Sequence, residues 1–170
     1  IDRELTIQSA VNHLDELIVD DFVDATIYTV ETHKCNLIIH CAATSLVGPS
    51  IKNPGEYYEN NASKTNKLLR QLSHICWQGS IIFSSSAATY GSVNSNPISE
   101  SGLQFPINPY GASKLMCEQI IKDHCHAHGM KGIVLRYFNA AGCDIDCLIG
   151  HTISDSHLIP RILSSHQNKD

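Results

Sequence analysis

The stretch Ser80-Ile81-Ile82-Phe83-Ser84-Ser85-Ser86 decides the fold, because a short apolar run here ends abruptly in small polar residues. Apolar runs of the same kind lie at residues 36–40 and 132–136, and a shorter one, Leu17-Ile18-Val19, is closed by Asp20-Asp21. Short continuous runs of this kind are typical of strands buried in a parallel sheet. We therefore predict a strand at each of the four positions.

The segments between these runs have helical patterns. Apolar residues recur among polar ones within residues 24–32, 57–74 and 110–128, and a last helix is expected to begin near His157. Strands that alternate with helices imply right-handed crossovers and a parallel sheet covered on both faces. The predicted class is therefore α/β, a doubly wound parallel sheet of the Rossmann-like kind.

The composition is that of an ordinary globular domain. The chain has 170 residues, of which 42% are hydrophobic and 17% charged, and its formal net charge is -5. This balance disfavours nucleic acid and anionic membranes as partners, and no apolar stretch is long enough to cross a bilayer. The seven cysteines include no Cys-x-x-Cys pair, which favours reduced thiols over a disulfide or zinc framework. With no leader-like start, we expect a cytoplasmic protein without a metal site.

Polar and small residues follow each predicted strand. They are Asp20-Asp21, residues 41–45, Ser84-Ser85-Ser86 and residues 137–139. Ligands of open α/β sheets bind beyond the carboxyl ends of the strands. We therefore predict that these four segments line one crevice.

Tyr110 and Lys114 form the clearest chemical pair. They lie four residues apart at the start of a predicted helix, after a long loop at residues 91–109, and so share one helix face. A free phenol has a pKa of about 10, and a fixed cation nearby favours the phenolate. Tyr110 can then exchange a proton with a substrate hydroxyl that Ser86 also hydrogen-bonds, as hydride transfer requires. The alternative, an unreactive pair on a solvated helix face, stays open because the spacing alone is common.

Three longer motifs carry a family resemblance. They are Phe83-Ser84-Ser85-Ser86-Ala87-Ala88-Thr89-Tyr90-Gly91, Pro109-Tyr110-Gly111-Ala112-Ser113-Lys114 and Leu135-Arg136-Tyr137-Phe138-Asn139-Ala140-Ala141-Gly142. Together with residues 39–43, 56–61 and 157–160, they make nearly the whole chain resemble the extended short-chain dehydrogenase/reductases. Within that family, the chain is most similar to the members that epimerise UDP-sugars.

The resemblance implies an NAD site. Asp21 and Phe22 match an acidic and apolar pair at the adenine, although the alignment also permits Asp20. Asn60 matches a residue that supports the cofactor loop, and Phe138 matches one that packs near the nicotinamide. The loop along the pyrophosphate and nicotinamide ribose corresponds to Cys41, Ala42, Ala43, Thr44 and Ser45.

The resemblance also implies catalytic and substrate-binding residues. Ser86, Tyr110 and Lys114 match the catalytic trio of the family, and Tyr110 and Lys114 also match contacts to the cofactor. The residues that match contacts to the UDP-sugar substrate are Ser86, Tyr110, Asn139, His157 and Leu158.

The implied reaction is an epimerisation without net oxidation. Tightly held NAD takes a hydride from C4 of the sugar while Tyr110 removes the hydroxyl proton. The 4-keto sugar then rotates in the site and regains the hydride on its other face. UDP-glucose and UDP-galactose are interconverted in this way. A dehydratase is disfavoured, because Ala87 and Ala88 stand where such enzymes carry an acid and a base. An epimerase or reductase acting on a related nucleotide sugar, such as an N-acetylhexosamine or a uronate, stays open.

A dinucleotide's pyrophosphate is usually bound by a Gly-rich turn with the pattern Gly-x-Gly-x-x-Gly or Gly-x-x-Gly-x-x-Gly. The ten glycines of this sequence include neither pattern. By the alignment, the first strand-helix-strand portion precedes Ile1, so the sheet is expected to be incomplete at its N-terminus. We expect residues 1–142 to be a partial NAD-binding domain and residues 143–170 the start of a substrate-binding region, within a homodimer when full length. The alternative is a truncated, non-catalytic remnant of such an enzyme.

Three other features have plainer interpretations. His124 and His128 lie one helical turn apart, but a solvated helix end is favoured over a metal site. Cys143 and Cys147 are expected to be free thiols. His40 ends an apolar strand and is expected to be a hydrogen-bonded structural residue.

Overall fold

A computed structural model describes residues 16–93, 97–142 and 158–167, together with Leu14 and Ile145. The chain divides into two compact units, one of residues 20–138 and the other of residues 1–19 with 139–170. The sheet and its flanking helices belong to the first unit, and the second contains one described helix.

The elements follow the predicted alternation. In the described residues, the helices of the larger unit are α1 (Phe22–His33), α2 (Val47–Lys52), α3 (Pro54–Tyr57), α4 (Lys64–His74) and α5 (Pro109–His128). The strands are β1 (Leu37–His40), β2 (Ser80–Ser86) and β3 (Lys131–Tyr137). A π-helical turn (Tyr58–Ser63) joins α3 to α4, a 3₁₀ turn (Ala87–Thr89) follows β2, and α6 (Leu158–Gln167) lies in the smaller unit. None of the helices described is long and apolar enough to span a membrane.

The three strands form one parallel sheet in the order β1-β2-β3. Ile39 lies opposite Ile82 in this register, and Ser85 lies opposite Arg136. Parallel neighbours cannot be joined by a hairpin, so α4 carries the crossover from β1 to β2 and α5 the crossover from β2 to β3. The predicted α/β class with a parallel, Rossmann-like sheet is confirmed.

The strand predicted at residues 17–19 is wrong. These residues have no regular secondary structure, and the side chains of Leu17 and Val19 are 56% and 89% exposed. An extended segment becomes a strand only when its backbone hydrogen-bonds to a neighbour, and the described sheet pairs only β1, β2 and β3. The apolar run alone was therefore not enough to define this element.

Helices cover one face of the described sheet. The side chains of Ile81 and Phe83 on this face are almost completely buried, whereas Ile39 and Ile133 on the other face are 65% and 53% exposed. Right-handed crossovers between strands in sequential order place both crossover helices on the same side. The prediction of cover on both faces is therefore not met within the described residues. The core cluster includes Val23, Val30, Leu68, Leu69, Leu72, Trp77, Ile81, Phe83, Cys117, Ile121 and Met130.

Local signals define both ends of α5. The side chain of Asn108 caps the first turn by accepting a hydrogen bond from the Gly111 amide at 2.8 Å, and Pro109 suits the first helical position. Gly129 ends the helix in the left-handed conformation with a φ of 75°. A Cβ at Gly111 would lie 2.4 Å from the carbonyl oxygen of Ala88, so only glycine permits this close approach. The start of α5 is thereby brought against the turn that follows β2.

Candidate active site

The predicted trio lies where β2 ends and α5 begins. Ser86 is the last residue of β2, Tyr110 is the second residue of α5, and Lys114 follows one turn later. The Ser86 hydroxyl oxygen accepts a hydrogen bond from the Ala88 amide at 3.2 Å. Because this contact uses the oxygen as an acceptor, the hydroxyl proton of Ser86 is left to donate to a substrate oxygen.

Lys114 is a buried cation, with 3% of its surface exposed. Its ammonium group donates to the carbonyl oxygen of Ser84 at 2.8 Å and lies 4.8 Å from the centre of the Phe83 ring. Burial lowers the pKa of Lys114, and the nearby thiols of Cys117 and Cys41 partly oppose that shift. An ammonium group has three protons, so two remain for other acceptors while one is donated to Ser84.

The ring of Tyr110 packs against a second tyrosine, Tyr57. The two ring centroids are 6.3 Å apart and the rings are nearly perpendicular, at 80°. The Tyr57 hydroxyl contacts the carbonyl oxygens of Ser45 and Leu46 at 2.6 and 2.8 Å. Tyr57 therefore connects the predicted cofactor loop to the predicted catalytic tyrosine, a role that the sequence analysis missed.

The predicted cofactor loop after β1 is fastened at Thr44. The side chain of Asn61 accepts a hydrogen bond from the Thr44 amide at 2.8 Å and donates to the Thr44 carbonyl oxygen at 3.0 Å. It also donates to the hydroxyl of Ser113 on α5 at 2.9 Å, while the predicted residue Asn60 reaches the Thr44 hydroxyl at 2.9 Å. Asn61 thus joins the loop to α5 by hydrogen bonds, and its burial distinguishes it from Asn60.

The predicted adenine pair lies at the start of α1. Asp21 is the N-cap of that helix, accepting from the Val23 amide at 3.1 Å, and its carboxylate is 2.8 Å from the ammonium group of Lys64. The hydrogen bond from Lys64 is the main cause that lowers the pKa of Asp21. The alternative residue, Asp20, accepts from the Asp21 amide at 2.7 Å. The assignment of Asp21 and Phe22 to the adenine stays a prediction.

His40 is buried beneath the site. Its ring lies 5.2 Å from that of Phe22 and 5.4 Å from that of Phe83, and its Nε2 atom is 2.9 Å from the Thr65 hydroxyl. Burial and the charge of Lys114 lower the pKa of His40 to about 4. A neutral, hydrogen-bonded imidazole agrees with the structural role expected for this residue.

Protonation of His40 is expected to destabilise the fold in mild acid. The pKa of His40 is about 4 in the folded state and 6.5 for an unperturbed histidine, so stability present above pH 6.5 is lost as the pH falls toward 4. The loss amounts to about 3 kcal/mol. Urea unfolding measured across this pH range tests it, with His40→Gln expected to lack this part of the pH dependence. An equally steep acid loss in His40→Gln would contradict the assignment, and the exposed His126→Gln is the control.

A buried ion pair below Ser86 was missed by the sequence analysis. Glu118, 8% exposed, accepts hydrogen bonds from Arg136 at 2.8 to 3.2 Å, from Gln104 at 3.1 Å and from the Ser85 hydroxyl. Burial raises the pKa of Glu118, but these hydrogen bonds more than offset it and the pKa is lowered. Glu118 stands four residues after Lys114, which is the only signal of this site in the sequence.

Phe138, Asn139, His157 and Leu158 are the remaining residues predicted for the site. Phe138 is 63% exposed and lines a cavity of about 550 Å³ together with Tyr90, Glu100 and Arg136. Asn139 and Leu158 belong to the smaller unit, and His157 lies outside the described residues. Their roles toward a UDP-sugar stay predictions.

The features with plainer interpretations carry no metal site in the part of the chain that is described. The ring of His124 contacts Asn66 at 3.2 Å and lies 5.5 Å from that of His128, on the surface of α5. Cys143 and Cys147 fall outside the described residues. The cysteines that the structure describes, Cys35, Cys41, Cys76, Cys117 and Cys125, are free thiols.

The parallel sheet with its flanking helices is the fold of a Rossmann-like α/β protein. The chain belongs to the NAD dependent epimerase/dehydratase family, whose model matches residues 4–170. Within that family it is similar to UDP-glucose 4-epimerases. The one from Halalkalibacterium halodurans is 48% identical over 148 residues, which cover 86% of this chain and 43% of the relative. The predicted family resemblance is confirmed.

Solved structures lead to the same family. The UDP-glucose 4-epimerase from Brucella ovis, in complex with NAD, has a TM-score of 0.85 at 39% identity, covering 96% of this chain and 50% of that one. The enzyme from Bifidobacterium longum, in complex with NAD+ and UDP, has a TM-score of 0.75 at 33% identity, covering 87% of this chain and 45% of that one. The chain spans half or less of the length of each of these relatives.

Proposed function

We propose that the protein carrying this chain is a UDP-glucose 4-epimerase that interconverts UDP-glucose and UDP-galactose through a 4-keto sugar, with tightly bound NAD. The observation that carries the proposal is the close approach of α5, at Gly111, to the turn that directly follows β2. It places a serine hydroxyl at a strand end beside a helix whose first two turns bear Tyr110 and the buried cation Lys114.

The residues near the carboxyl ends of β1 and β2 suit a dinucleotide. Lys114 has an ammonium group with protons to spare beyond its bond to Ser84, and the loop at Thr44 is held rigidly by Asn61. Both features suit the binding of ribose hydroxyls and a pyrophosphate. The residues proposed to hold NAD are Asp21, Phe22, Cys41, Ala42, Ala43, Thr44, Ser45, Asn60, Tyr110, Lys114 and Phe138.

Residues of this chain transfer the proton of the C4 hydroxyl. Tyr110 accepts the proton of the C4 hydroxyl, and Lys114 supplies a positive charge one turn away on the same helix face. Ser86 donates a hydrogen bond to the same substrate oxygen and orients it. Reversible hydride exchange at C4 is the chemistry that bound NAD supplies. After the 4-keto sugar has rotated to present its other face, return of the proton from Tyr110 completes the cycle.

Ala87 and Ala88 disfavour dehydration of the sugar at this site. Both residues lie in the 3₁₀ turn directly after Ser86, where loss of water from the sugar would need an acid and a base. A methyl group cannot transfer a proton, so the site supports exchange at C4 without elimination.

The domain organisation, compartment and oligomeric state are proposed from the family resemblance and the composition. Residues 1–142 are the partial NAD-binding domain and residues 143–170 the start of the substrate-binding region. The UDP-sugar contacts Asn139 at the end of the first of these and His157 and Leu158 in the second. The protein works in the cytoplasm as a homodimer, without a nucleic-acid or membrane partner.

Activity on a panel of UDP-sugars tests the proposed function. The protein encoded by the whole gene is expected to convert UDP-galactose to UDP-glucose without added NADH, and chromatography separates the substrate from the product. The panel includes UDP-N-acetylhexosamines and UDP-uronates, and preference for either class would replace the proposed substrate.

Coding DNA upstream of Ile1 supplies an independent check. An in-frame Gly-rich strand-turn-helix supports the enzyme, and a stop codon there favours a non-catalytic remnant.

A further inference from the structure

Three residues at successive turns share one face of α5. Tyr110, Lys114 and Glu118 follow one another at intervals of four residues. Lys114 donates to the carbonyl oxygen of Ser84, and Glu118 accepts the hydroxyl of Ser85. The helix that bears Tyr110 is thus tied to the two residues of β2 that directly precede Ser86.

Glu118 extends this tie to β3. Arg136 lies opposite Ser85 in the sheet and directs its Nε and Nη2 atoms at the Glu118 carboxylate, at distances of 2.8 to 3.2 Å. The fork of a guanidinium group matches a carboxylate in one plane, so the pair specifies an orientation as well as a distance. Glu118 and Arg136 are 8% and 21% exposed at the side chain, which keeps the pair largely out of water.

The remaining contacts of the pair reach the segment that leads into α5. The Nη1 atom of Arg136 donates to the hydroxyl of Tyr90 at 2.7 Å and to the carbonyl oxygen of Glu100 at 2.8 Å. Gln104 donates to Glu118 at 3.1 Å. One ion pair therefore holds the ends of two strands, the middle of α5 and the loop that runs directly into Tyr110.

We propose that Glu118, acting with Arg136, is a positioning residue that sets the separation between Tyr110 on α5 and Ser86 on β2. The proposal rests on the function proposed above, because it concerns the two groups that meet the substrate hydroxyl. Two apolar side chains of similar volume would hold the same elements together at no greater cost in stability. A buried carboxylate with a guanidinium fork adds a fixed geometry, and proton transfer depends on geometry at the scale of one ångström.

Glu118→Gln and Ser85→Ala test this role in the protein encoded by the whole gene. Gln keeps the size of Glu118 and an acceptor for Ser85, but it cannot hold both arms of the Arg136 fork. We expect kcat to fall roughly 100-fold while KM for the UDP-sugar changes less than about threefold. Ser85→Ala leaves the ion pair in place and removes only its tie to β2, so we expect a fall in kcat of about 10-fold at unchanged KM.

Matched controls separate positioning from general damage. Gln119→Ala changes the next residue of α5, whose side chain bonds to Asp123 on the exposed side, and Ser80→Ala changes the other end of β2. Both are expected to keep wild-type kcat. Hydrogen exchange gives a readout that needs no activity. In Glu118→Gln, amides of residues 97–110 are expected to exchange faster than in the wild type, while those of residues 41–46 are unchanged.

The outcomes distinguish this proposal from the proposed function. Folded Glu118→Gln and Ser85→Ala proteins with wild-type kcat and unchanged exchange at residues 97–110 would overturn the positioning role. A wild-type protein inactive on every UDP-sugar would overturn the proposed function. Hydrogen exchange would then decide whether Glu118 orders residues 97–110, the segment that leads to Tyr110. Unchanged exchange in Glu118→Gln would overturn the positioning role as well. If Glu118→Gln does not fold, Ser85→Ala decides by the same two measurements.

Discussion

Replacing Tyr110 by Phe is expected to lower the kcat of UDP-galactose epimerisation by about three orders of magnitude, which corresponds to roughly 4 kcal/mol of transition-state stabilisation. The substitution removes only the phenolic oxygen, the group proposed to accept the C4 hydroxyl proton. The ring remains, so its edge contact with Tyr57 at 6.3 Å is kept. The KM for the UDP-sugar is therefore expected to change little.

The control for this variant is Tyr28→Phe. Tyr28 lies on α1 and is 53% exposed, so loss of its hydroxyl is expected to leave kcat unchanged. Both proteins are compared by initial rates with UDP-galactose and by thermal unfolding. Wild-type activity in a correctly folded Tyr110→Phe protein would refute the assignment of Tyr110 as the base.

Replacing Lys114 by Met is expected to separate activity from stability. The kcat is expected to fall by about three orders of magnitude, because both the cation beside Tyr110 and a cofactor contact are lost. The melting temperature is expected to stay the same or rise, because Met fills similar space without the cost of burying an ammonium group. Lys114 is 3% exposed, and its lowered pKa is the mark of that cost.

Initial rates and thermal unfolding of the Lys114→Met protein test both halves of this expectation. The exposed Lys122→Met on the same helix is the control for loss of one positive charge. A Lys114→Met protein that melts several degrees lower would mean that Lys114 serves mainly to hold the fold through Ser84.

Several elements of the fold could be read from local sequence. Helix α5 has a capping Asn108, a proline at its first position and a terminating Gly129, and all three act within a few residues along the chain. The run at residues 80–83 became a central strand because apolar side chains of that kind pack on neighbours. The similar run at residues 17–19 did not, since a strand also needs a partner backbone that the run itself does not specify.

The site shows the same division. Ser86, Tyr110 and Lys114 could be proposed because a strand end and a helix face have fixed periodicities, and the family resemblance joined the two motifs. Asn61 was missed because two adjacent asparagines on a helical turn differ only in which one faces the core. Tyr57 was missed because its target, the carbonyl oxygens of Ser45 and Leu46, lies in another segment.

The sequence by itself determined most of the order of strands and helices and the membership of the family, and it made Ser86, Tyr110 and Lys114 candidates for catalysis, because these depend on patterns within short motifs. Only the tertiary structure decided that Glu118 and Arg136 pair below Ser86 and that Asn61 fastens the loop at Thr44. The partners in each contact are 17 or 18 residues apart. Such contacts exist only after the parallel register has brought distant segments together, and local propensity carries no record of that register.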